Sequence, residues 1–170
     1  MKTKYVVVED YNPIWKEEFK SIKNELLTVL SGKIVSIEHV GSTSVEGLCA
    51  KPIIDIDIVI DKNFEEVKGL LESRGYIYEG DLGIHGREAF RYINKPHLMT
   101  HHLYVCNKDN KELYRHITFR DYLRNHKKER DTYGEIKKKM ALKYHQDIDS
   151  YIRGKQQVIL DIYRKCGLEK

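Results

Sequence analysis

Two carboxylates and a short polar turn are the residues of this chain best suited to chemistry. Asp55 and Asp57 are separated by one apolar residue inside the apolar run at positions 53–60. Side chains alternate between the two faces of a strand, so we expect both carboxylates on one face. Two like charges in an apolar strand are costly to bury unless a cation lies between them. The pair therefore predicts a site for Mg²⁺ or Mn²⁺, ligated by Asp55 and Asp57.

The turn Gly41-Ser42-Thr43-Ser44 precedes that strand. Gly41 allows close approach of the backbone, and the three hydroxyl residues can hydrogen-bond phosphate oxygens at the start of a short helix. An N-capping serine in an ordinary loop has the same sequence, so the turn alone is ambiguous. Together with the two carboxylates it predicts a metal–nucleotide site, to which we add Lys51 as a phosphate ligand.

Histidines near these elements are further candidates. His102 lies on a predicted strand with Tyr104 on the same face. We expect His102 to accept a proton near neutral pH or to act as a softer metal ligand. His39 ends a strand beside the turn, and a structural hydrogen bond and a substrate contact are equally good interpretations of it.

Four arginines form two spaced pairs. Arg87 and Arg91 share one face of a predicted strand and are candidates for binding a triphosphate, although surface ion pairing explains them equally well. Arg120 and Arg124 are one helical turn apart, and we expect them to close over the nucleotide from the C-terminal helices.

Composition describes an ordinary globular protein. The chain has 170 residues, of which 41% are hydrophobic and 33% charged. It contains no apolar run of membrane-spanning length and no signal pattern, so we expect a cytoplasmic protein. Its three cysteines form no C-x-x-C pair, which argues against a zinc site or a disulfide framework. Residues 106–170 carry 17 Lys and Arg against 10 Asp and Glu, whereas residues 1–105 carry 13 against 16. We interpret most of the C-terminal lysines as solvated helix faces, the alternative being that the basic half binds a polyanion such as a nucleoside triphosphate.

The order of predicted elements indicates an α/β (α+β) fold with a mixed β-sheet core and a C-terminal helical subdomain. We place the core at residues 1–107 and the helical extension, packed on it, at residues 108–170, within a single domain overall. The patterns predict strands at 5–9, 33–40, 52–60, 76–79, 87–94 and 100–106. They predict helices from Pro13 to about residue 30 and at 64–74, 111–126, 129–145 and 149–166.

The segment from His39 to Asp55, HVGSTSVEGLCAKPIID, resembles the hallmark of the GrpB (UPF0157) family. Further matching segments are Tyr11-Asn12-Pro13-x-Trp15, Gly86-Arg87, Phe90-Arg91, His101-His102-Leu103 and FRDYLR at residues 119–124. The Gly-Ser turn followed by Asp-x-Asp is similar to the signature of the nucleotidyltransferase superfamily related to DNA polymerase β. The chain departs from the family pattern at Glu46, where proline is usual, and at Tyr104, where a second histidine would complete His-x-His.

The resemblance implies a nucleotidyltransferase-like fold. Together with the residues above, it favours a metal-dependent transfer of a nucleoside monophosphate from ATP or another NTP to a small-molecule acceptor. The alternative is a non-catalytic module that binds a nucleotide or a CoA precursor, since such domains occur fused to dephospho-CoA kinase and no third carboxylate is evident. RNA binding by the basic helices is a weaker option, because no dedicated nucleic-acid module is present. The sequence leaves the acceptor, the NTP and the oligomeric state undetermined.

Overall fold

The computed structural model describes residues 4–168. Within that range the chain forms five strands, six α-helices and one short 3₁₀ turn at Ser42–Ser44. The elements, in chain order, are α1 (Ile14–Leu30), β1 (Ser36–Val40), β2 (Ile54–Ile60), α2 (Phe64–Glu72), β3 (Tyr76–Gly80), β4 (Arg87–Tyr92), β5 (His101–Asn107), α3 (Lys111–Asn125), α4 (Lys127–Lys143), α5 (Ile148–Gly154) and α6 (Gln156–Lys165).

The strands form one mixed sheet in the order β1-β2-β5-β4-β3. Only the central pair, β2 and β5, is parallel, and the other neighbours are antiparallel. Strand β2 therefore has a partner on both edges, and every residue of it except Asp55 is buried. This central position explains the nearly continuous apolar sequence of the strand.

One face of the sheet carries the main apolar core. Ile54, Ile56 and Ile58 of β2 point to this face and are completely buried. They pack with residues of α1 and α2, among them Trp15 and Leu71. The apolar positions of α1 recur at helical spacing, which gives the helix one buried side.

The opposite face carries the two carboxylates and is covered by C-terminal helices. Val59 and Cys106 on this face pack against Leu113 of α3. A further cluster joins the loop after β1 to α3, α4 and α6 through Val45, Leu48, Leu123, Tyr133, Val158 and Ile162. The C-terminal helices therefore cover the sheet directly beside the candidate site.

The predicted mixed α+β fold is confirmed, and two of the predicted elements are wrong. Residues 5–9 form no strand beyond a single bridge between Glu9 and Ala50, because Val6 N–H donates to the carbonyl of His145 and ties this segment to the end of α4. The predicted helix at 149–166 is two helices, broken at Lys155. Gly154 packs so closely on α4 that a Cβ there would lie 2.4 Å from Met140 Sδ.

Element ends differ from the predictions by a few residues. The strand predicted at 33–40 begins only at Ser36, and the strand predicted at 87–94 ends at Tyr92. Asn12 accepts a hydrogen bond from Ile14 N–H at the start of α1, as a capping residue should.

No helix within residues 4–168 is both long and apolar enough to cross a membrane. The division into residues 1–107 and 108–170 stays a prediction.

Candidate functional site

Asp55 and Asp57 lie on the same face of β2. Their register partners on the parallel strand β5 are His102 and Tyr104, so these four side chains share one patch of the sheet. The period-two spacing seen in the sequence produces this arrangement directly. The two carboxylates nevertheless have different surroundings.

Asp55 lies at the open end of the patch, with one third of its side chain exposed. Its Oδ1 is 2.9 Å from Nδ1 of His102, so the ring donates from Nδ1 to the carboxylate. The other ring nitrogen, Nε2, is buried and has no hydrogen-bond partner within residues 4–168. Asp55 thus fixes the orientation of the His102 ring.

Asp57 is completely buried. Its Oδ2 accepts a 2.6 Å hydrogen bond from Nδ1 of His116 on α3, whereas its Oδ1 has no partner among the described residues. Burial by itself would lower the pKa of His116, but the hydrogen bond and the charge of Asp57 outweigh burial and raise it. A protonated His116 supplies the compensating charge that a buried carboxylate requires.

The turn at Gly41 brings the backbone up against Asp55. Gly41 has φ 73° and ψ −177°, a conformation that residues with a side chain rarely adopt. A Cβ built on Gly41 would lie 2.3 Å from Asp55 Oδ2. The Ser44 hydroxyl donates to the carbonyl of Gly41, and the Thr43 hydroxyl donates to that of Ile53. Glycine at this position is therefore a geometric requirement of the site.

His39 lies on the other face of the sheet, away from the carboxylates, since its register partner is Ile56. Its ring stacks on Phe19 at 4.7 Å, and its Nε2 is 2.9 Å from Thr43 Oγ1. Burial, together with the positive charges of Arg124 and Arg120, lowers its pKa to about 4 although Asp55 acts in the opposite direction, so the ring is neutral at pH 7. These contacts give His39 a structural role in holding the turn.

A cavity of about 300 Å³ lies between the turn and the C-terminal helices. We call it the lysine cavity, because Lys51, Lys137 and Lys155 line it. Gly41, Ser42, Thr43, Asp55 and His102 line its sheet side, and Phe119, Tyr133, Tyr151, Ile159 and Tyr163 line its helical side. Three ammonium groups thus face a single carboxylate beside the Gly-Ser turn.

Aromatic rings hold the lysines in place. Lys51 and Lys155 lie over the ring of Tyr151, with Nζ 5.8 and 4.6 Å from its centroid. Lys137 lies 5.0 Å from the ring of Tyr133, and its Nζ donates to the carbonyl of Cys49 at 2.8 Å. These cation–π contacts orient the ammonium groups and leave their charge in place.

Burial and mutual repulsion lower the pKa values of these three lysines. Burial, with repulsion from Lys155 and Lys51, lowers the pKa of Lys137 to about 7. Burial and repulsion from Lys51 lower the pKa of Lys155 to about 8. The pKa of Lys51 is also lowered by burial, with Asp55 acting in the opposite direction. An anion entering the cavity would relieve this repulsion.

Arg120 and Arg124 bind the turn from outside the lysine cavity. Arg120 Nη1 is 2.9 Å from Glu38 Oε2 and also donates to the carbonyl of His39. Arg124 donates twice, from Nε and Nη2, to the carbonyl of Ser44. With His116 these residues form a stripe at intervals of four along α3, so that one helix face holds the turn and the buried carboxylate together.

Arg87 and Arg91 lie on the same sheet face as Asp55 and Asp57, but they do not line the lysine cavity. The guanidinium of Arg87 stacks 4.1 Å above the ring of Tyr104, and its Nε is buried without a partner among the described residues. Arg91 is exposed, four residues further along β4.

Most of the predicted sheet residues converge, and the helical contribution was missed. Gly41, Ser42, Thr43, Lys51, Asp55 and His102 meet at the lysine cavity. Sequence reasoning did not identify Lys137, Lys155, Tyr133, Tyr151 or His116. A signal for four of them was present, because Tyr-x-x-x-Lys occurs at 133–137 on α4 and again at 151–155. Both copies place a lysine over a tyrosine of the same cavity wall.

The carboxylates offer an incomplete metal site. Within residues 4–168, no group of three or more His, Cys, Asp and Glu side chains is placed to hold a metal ion. Asp57 Oδ1 has no hydrogen-bond partner among the described residues, whereas the other carboxylate oxygen, Oδ2, accepts a hydrogen bond from His116. Mg²⁺ commonly takes one or two protein carboxylates and completes its shell with phosphate and water. Asp55 lines the lysine cavity and fits an ion that arrives with a phosphate ligand, whereas Asp57 is completely buried and does not line that cavity.

The fold and the site together define a class: mixed-sheet α+β proteins with a basic cavity between the central strands and a C-terminal helical layer. The GrpB protein family model matches residues 5–165. The chain therefore belongs to the GrpB family, which includes the UPF0157 proteins.

Similar proteins are bacterial. The UPF0157 protein YqkA of Bacillus subtilis is 37% identical over 153 residues, covering 88% of this chain and 43% of that protein. The glutamate-rich protein GrpB of Alkalihalophilus pseudofirmus is 32% identical over 162 residues, covering 92% of this chain and 93% of that one. The crystal structure of the conserved protein GrpB from Enterococcus faecalis matches with a TM-score of 0.79 and 34% identity, covering 94% of this chain and 98% of the other. This chain thus spans less than half of YqkA but nearly all of the other two.

Proposed function

We propose that the lysine cavity binds the polyphosphate of a nucleoside triphosphate and that the protein transfers the nucleoside monophosphate to a small-molecule acceptor. The observation that carries the proposal is the convergence of Lys51, Lys137 and Lys155 on the Gly-Ser turn, beside Asp55. The turn and the Asp-x-Asp pair are the features that resemble the nucleotidyltransferase superfamily.

The charge of the cavity favours a ligand with several negative charges. Three ammonium groups face one carboxylate, and two of them have pKa values lowered to about 7 and 8 by burial and mutual repulsion. A bound triphosphate would raise both values, so binding takes up protons and weakens as the pH rises from 7 to 9. A ligand with one negative charge would leave most of the repulsion in place.

The residues of the patch can then assist transfer. The acceptor hydroxyl oxygen forms a bond to the α-phosphorus, the bond from the α-phosphorus to the bridging oxygen breaks, and pyrophosphate leaves. His102 Nε2, oriented by the bond from Nδ1 to Asp55, accepts the hydroxyl proton. The lysines hold the departing pyrophosphate by charge. Asp55 would hold a magnesium ion that arrives with the nucleotide, and such an ion would supply neutralisation of the charge on the phosphate oxygens.

Calorimetry with single-lysine variants tests the binding step. We expect ATP, or another of the four NTPs, to bind with Mg²⁺ present, and Lys155→Met to weaken binding at least tenfold. Lys143→Met is the matched control, since Lys143 is exposed and lies over the ring of Tyr144 at 5.3 Å, outside the cavity. Equal affinities for the two variants, or no saturable binding of any NTP by the parent protein, would refute the proposal.

Pyrophosphate release separates an enzyme from a binding module. With labelled NTP, Mg²⁺ or Mn²⁺ and a metabolite pool as acceptor, transfer predicts pyrophosphate release that Asp55→Asn abolishes. The alternative, a non-catalytic module for a nucleotide or CoA precursor, is favoured by one observation: His102 and Tyr104 occupy the positions on β5 where a third carboxylate would lie. It predicts saturable binding without pyrophosphate release under any of these conditions.

A further inference from the structure

A second cavity, of about 570 Å³, lies behind the Gly-Ser turn. We call it the arginine cavity, after Arg124 and Arg130, which line it with Lys16. Thr43 lines both cavities, so the turn forms a wall between them. The volume is in the range that accommodates a small organic ligand.

Backbone carbonyls hold both guanidinium groups in place. Arg124 donates to the carbonyl of Ser44 at 2.8 and 3.0 Å, and Arg130 Nη1 donates to the carbonyl of Glu46 at 3.1 Å. A carbonyl orients a guanidinium without cancelling its charge, whereas a carboxylate would cancel it. The carboxylates paired with these guanidinium groups lie at longer distances: Asp131 Oδ1 is 3.3 Å from Arg130 Nε, and Asp121 Oδ1 is 4.0 Å from Arg124 Nη1.

Gly47 makes room for Arg130. It has φ 86°, and a Cβ there would lie 3.0 Å from the central carbon of the guanidinium. The Arg130 side chain is 18% exposed and therefore packs against the loop instead of extending into solvent. Local backbone geometry and side-chain placement thus combine to fix the position of this charge.

The residues that line the cavity carry more positive than negative charge. Lys16, Arg124 and Arg130 line it together with one carboxylate, Glu46, while Asp131 and Asp121 pair with Arg130 and Arg124 from outside the lining. Burial and the neighbouring Arg120 lower the pKa of Arg124, against the opposing effect of Asp121 and Glu38. Tyr11 adds a hydroxyl donor to the same wall. Such a wall recognises an oxyanion by charge and by paired N–H donors.

We propose that the arginine cavity binds a small molecule bearing a carboxylate or phosphate group, at a site separate from the lysine cavity. The proposal does not depend on nucleotidyl transfer. If the protein is a transferase, the cavity is the place to look for an acidic acceptor.

Nuclear magnetic resonance of arginine side chains gives a site-specific test. We would titrate ¹⁵N-labelled protein with inorganic phosphate and, separately, with acetate, at constant ionic strength set with chloride. We expect saturable shifts of the Nε–Hε signals of Arg124 and Arg130 with at least one of the two anions. The anion that binds more tightly tells a phosphate site from a carboxylate site. Shifts that grow linearly without saturation for both anions would overturn the proposal.

Charge-matched variants confirm the location. Lys16→Gln should weaken anion binding at least threefold, whereas Lys20→Gln, one turn further along α1 and paired with Glu17, should leave it unchanged. Arg130→Gln should weaken it at least fivefold, with the exposed Lys128→Gln as its control. If Lys155→Met abolishes the shifts and Lys16→Gln does not, the anion is in the lysine cavity and the proposal fails.

Discussion

Gly41 is the single residue on which the geometry of the site most depends. It has a positive φ, and the space where its Cβ would be is filled by the carboxylate of Asp55. We expect Gly41→Ala to lower the free energy of unfolding by about 2 kcal/mol more than a positive φ alone costs. Urea unfolding monitored by circular dichroism would measure this loss.

Gly32 offers a matched control for this substitution. It also has a positive φ, 77°, but nothing lies within 4 Å of where its Cβ would be. Gly32→Ala should therefore cost only the backbone strain, about 1 kcal/mol. Equal losses for the two variants would mean that the close approach to Asp55 does not constrain the turn.

Individual residues were predictable from sequence where local spacing determines their position. The period-two spacing places Asp55 and Asp57 on one face, and the sheet register adds His102. His116 was not predictable in this way, because it meets Asp57 from a helix 59 residues further along the chain. The spacing of His116, Arg120 and Arg124 at intervals of four is visible in the sequence, but the sequence does not show which residues this helix face contacts.

Helix α3 is attached to the sheet by polar contacts as well as by the apolar packing of Leu113. His116, Arg120 and Arg124 contact Asp57, Glu38 and the turn backbone in three successive turns of the helix. The bond between His116 and Asp57 is the most buried of these, because Asp57 is completely inaccessible to solvent. Its loss would leave a carboxylate uncompensated beneath the helix.

The contribution of this pair should depend on pH. The pKa of His116 is raised in the folded protein by Asp57. Its stabilising contribution is therefore fully present below the unfolded-state pKa of about 6.5 and is lost as the pH rises through the folded-state value. We expect His116→Gln to lower the free energy of unfolding by about 3 kcal/mol at pH 6 and by less at pH 9. Urea unfolding across that range would test this.

His126→Gln is the control, since His126 lies at the exposed end of the same helix. It should change stability little and show no comparable dependence on pH. A His116→Gln effect that stays constant from pH 6 to 9 would contradict a protonated His116 in the native state.

Helices and strands were predicted well where the apolar spacing within the segment determines them, and poorly where packing against another element does. Strand β2 and helix α1 follow from their apolar spacing alone. The break at Lys155 depends on close packing of Gly154 against Met140, which no pattern within 149–166 indicates. That break matters for the site, because Lys155 lies at the junction of α5 and α6 and reaches the lysine cavity from there.

The lysine cavity is formed jointly by the two halves of the chain. Its sheet side comes from residues before 107 and its helical side from residues after 118. The C-terminal lysines were interpreted from the sequence as mostly solvated, but two of them, Lys137 and Lys155, line this cavity. The charge excess of this half was visible in the composition, but the direction of each side chain depends on tertiary packing.

The shared cavity and clusters predict that the molecule unfolds as one unit. Trp15, the sole tryptophan, is buried beneath the sheet and reports on the N-terminal core. Far-ultraviolet circular dichroism reports mainly on the helices, most of which are C-terminal. We expect the two signals to give the same urea midpoint within error. Loss of the helical signal at a lower urea concentration would instead indicate that residues 108–170 form a separate subdomain.

The parallel pairing of β2 with β5 has a consequence for the order of folding. These neighbouring strands carry Asp55 and His102, which are 47 positions apart in the chain. All the intervening segments, including a helix and two other strands, must be accommodated before the pair can close, and such long-range closure is slow. The strand segments around Asp55 and His102 should accordingly be among the last regions to gain protection from hydrogen exchange during refolding, after α1 and the β3–β4 hairpin.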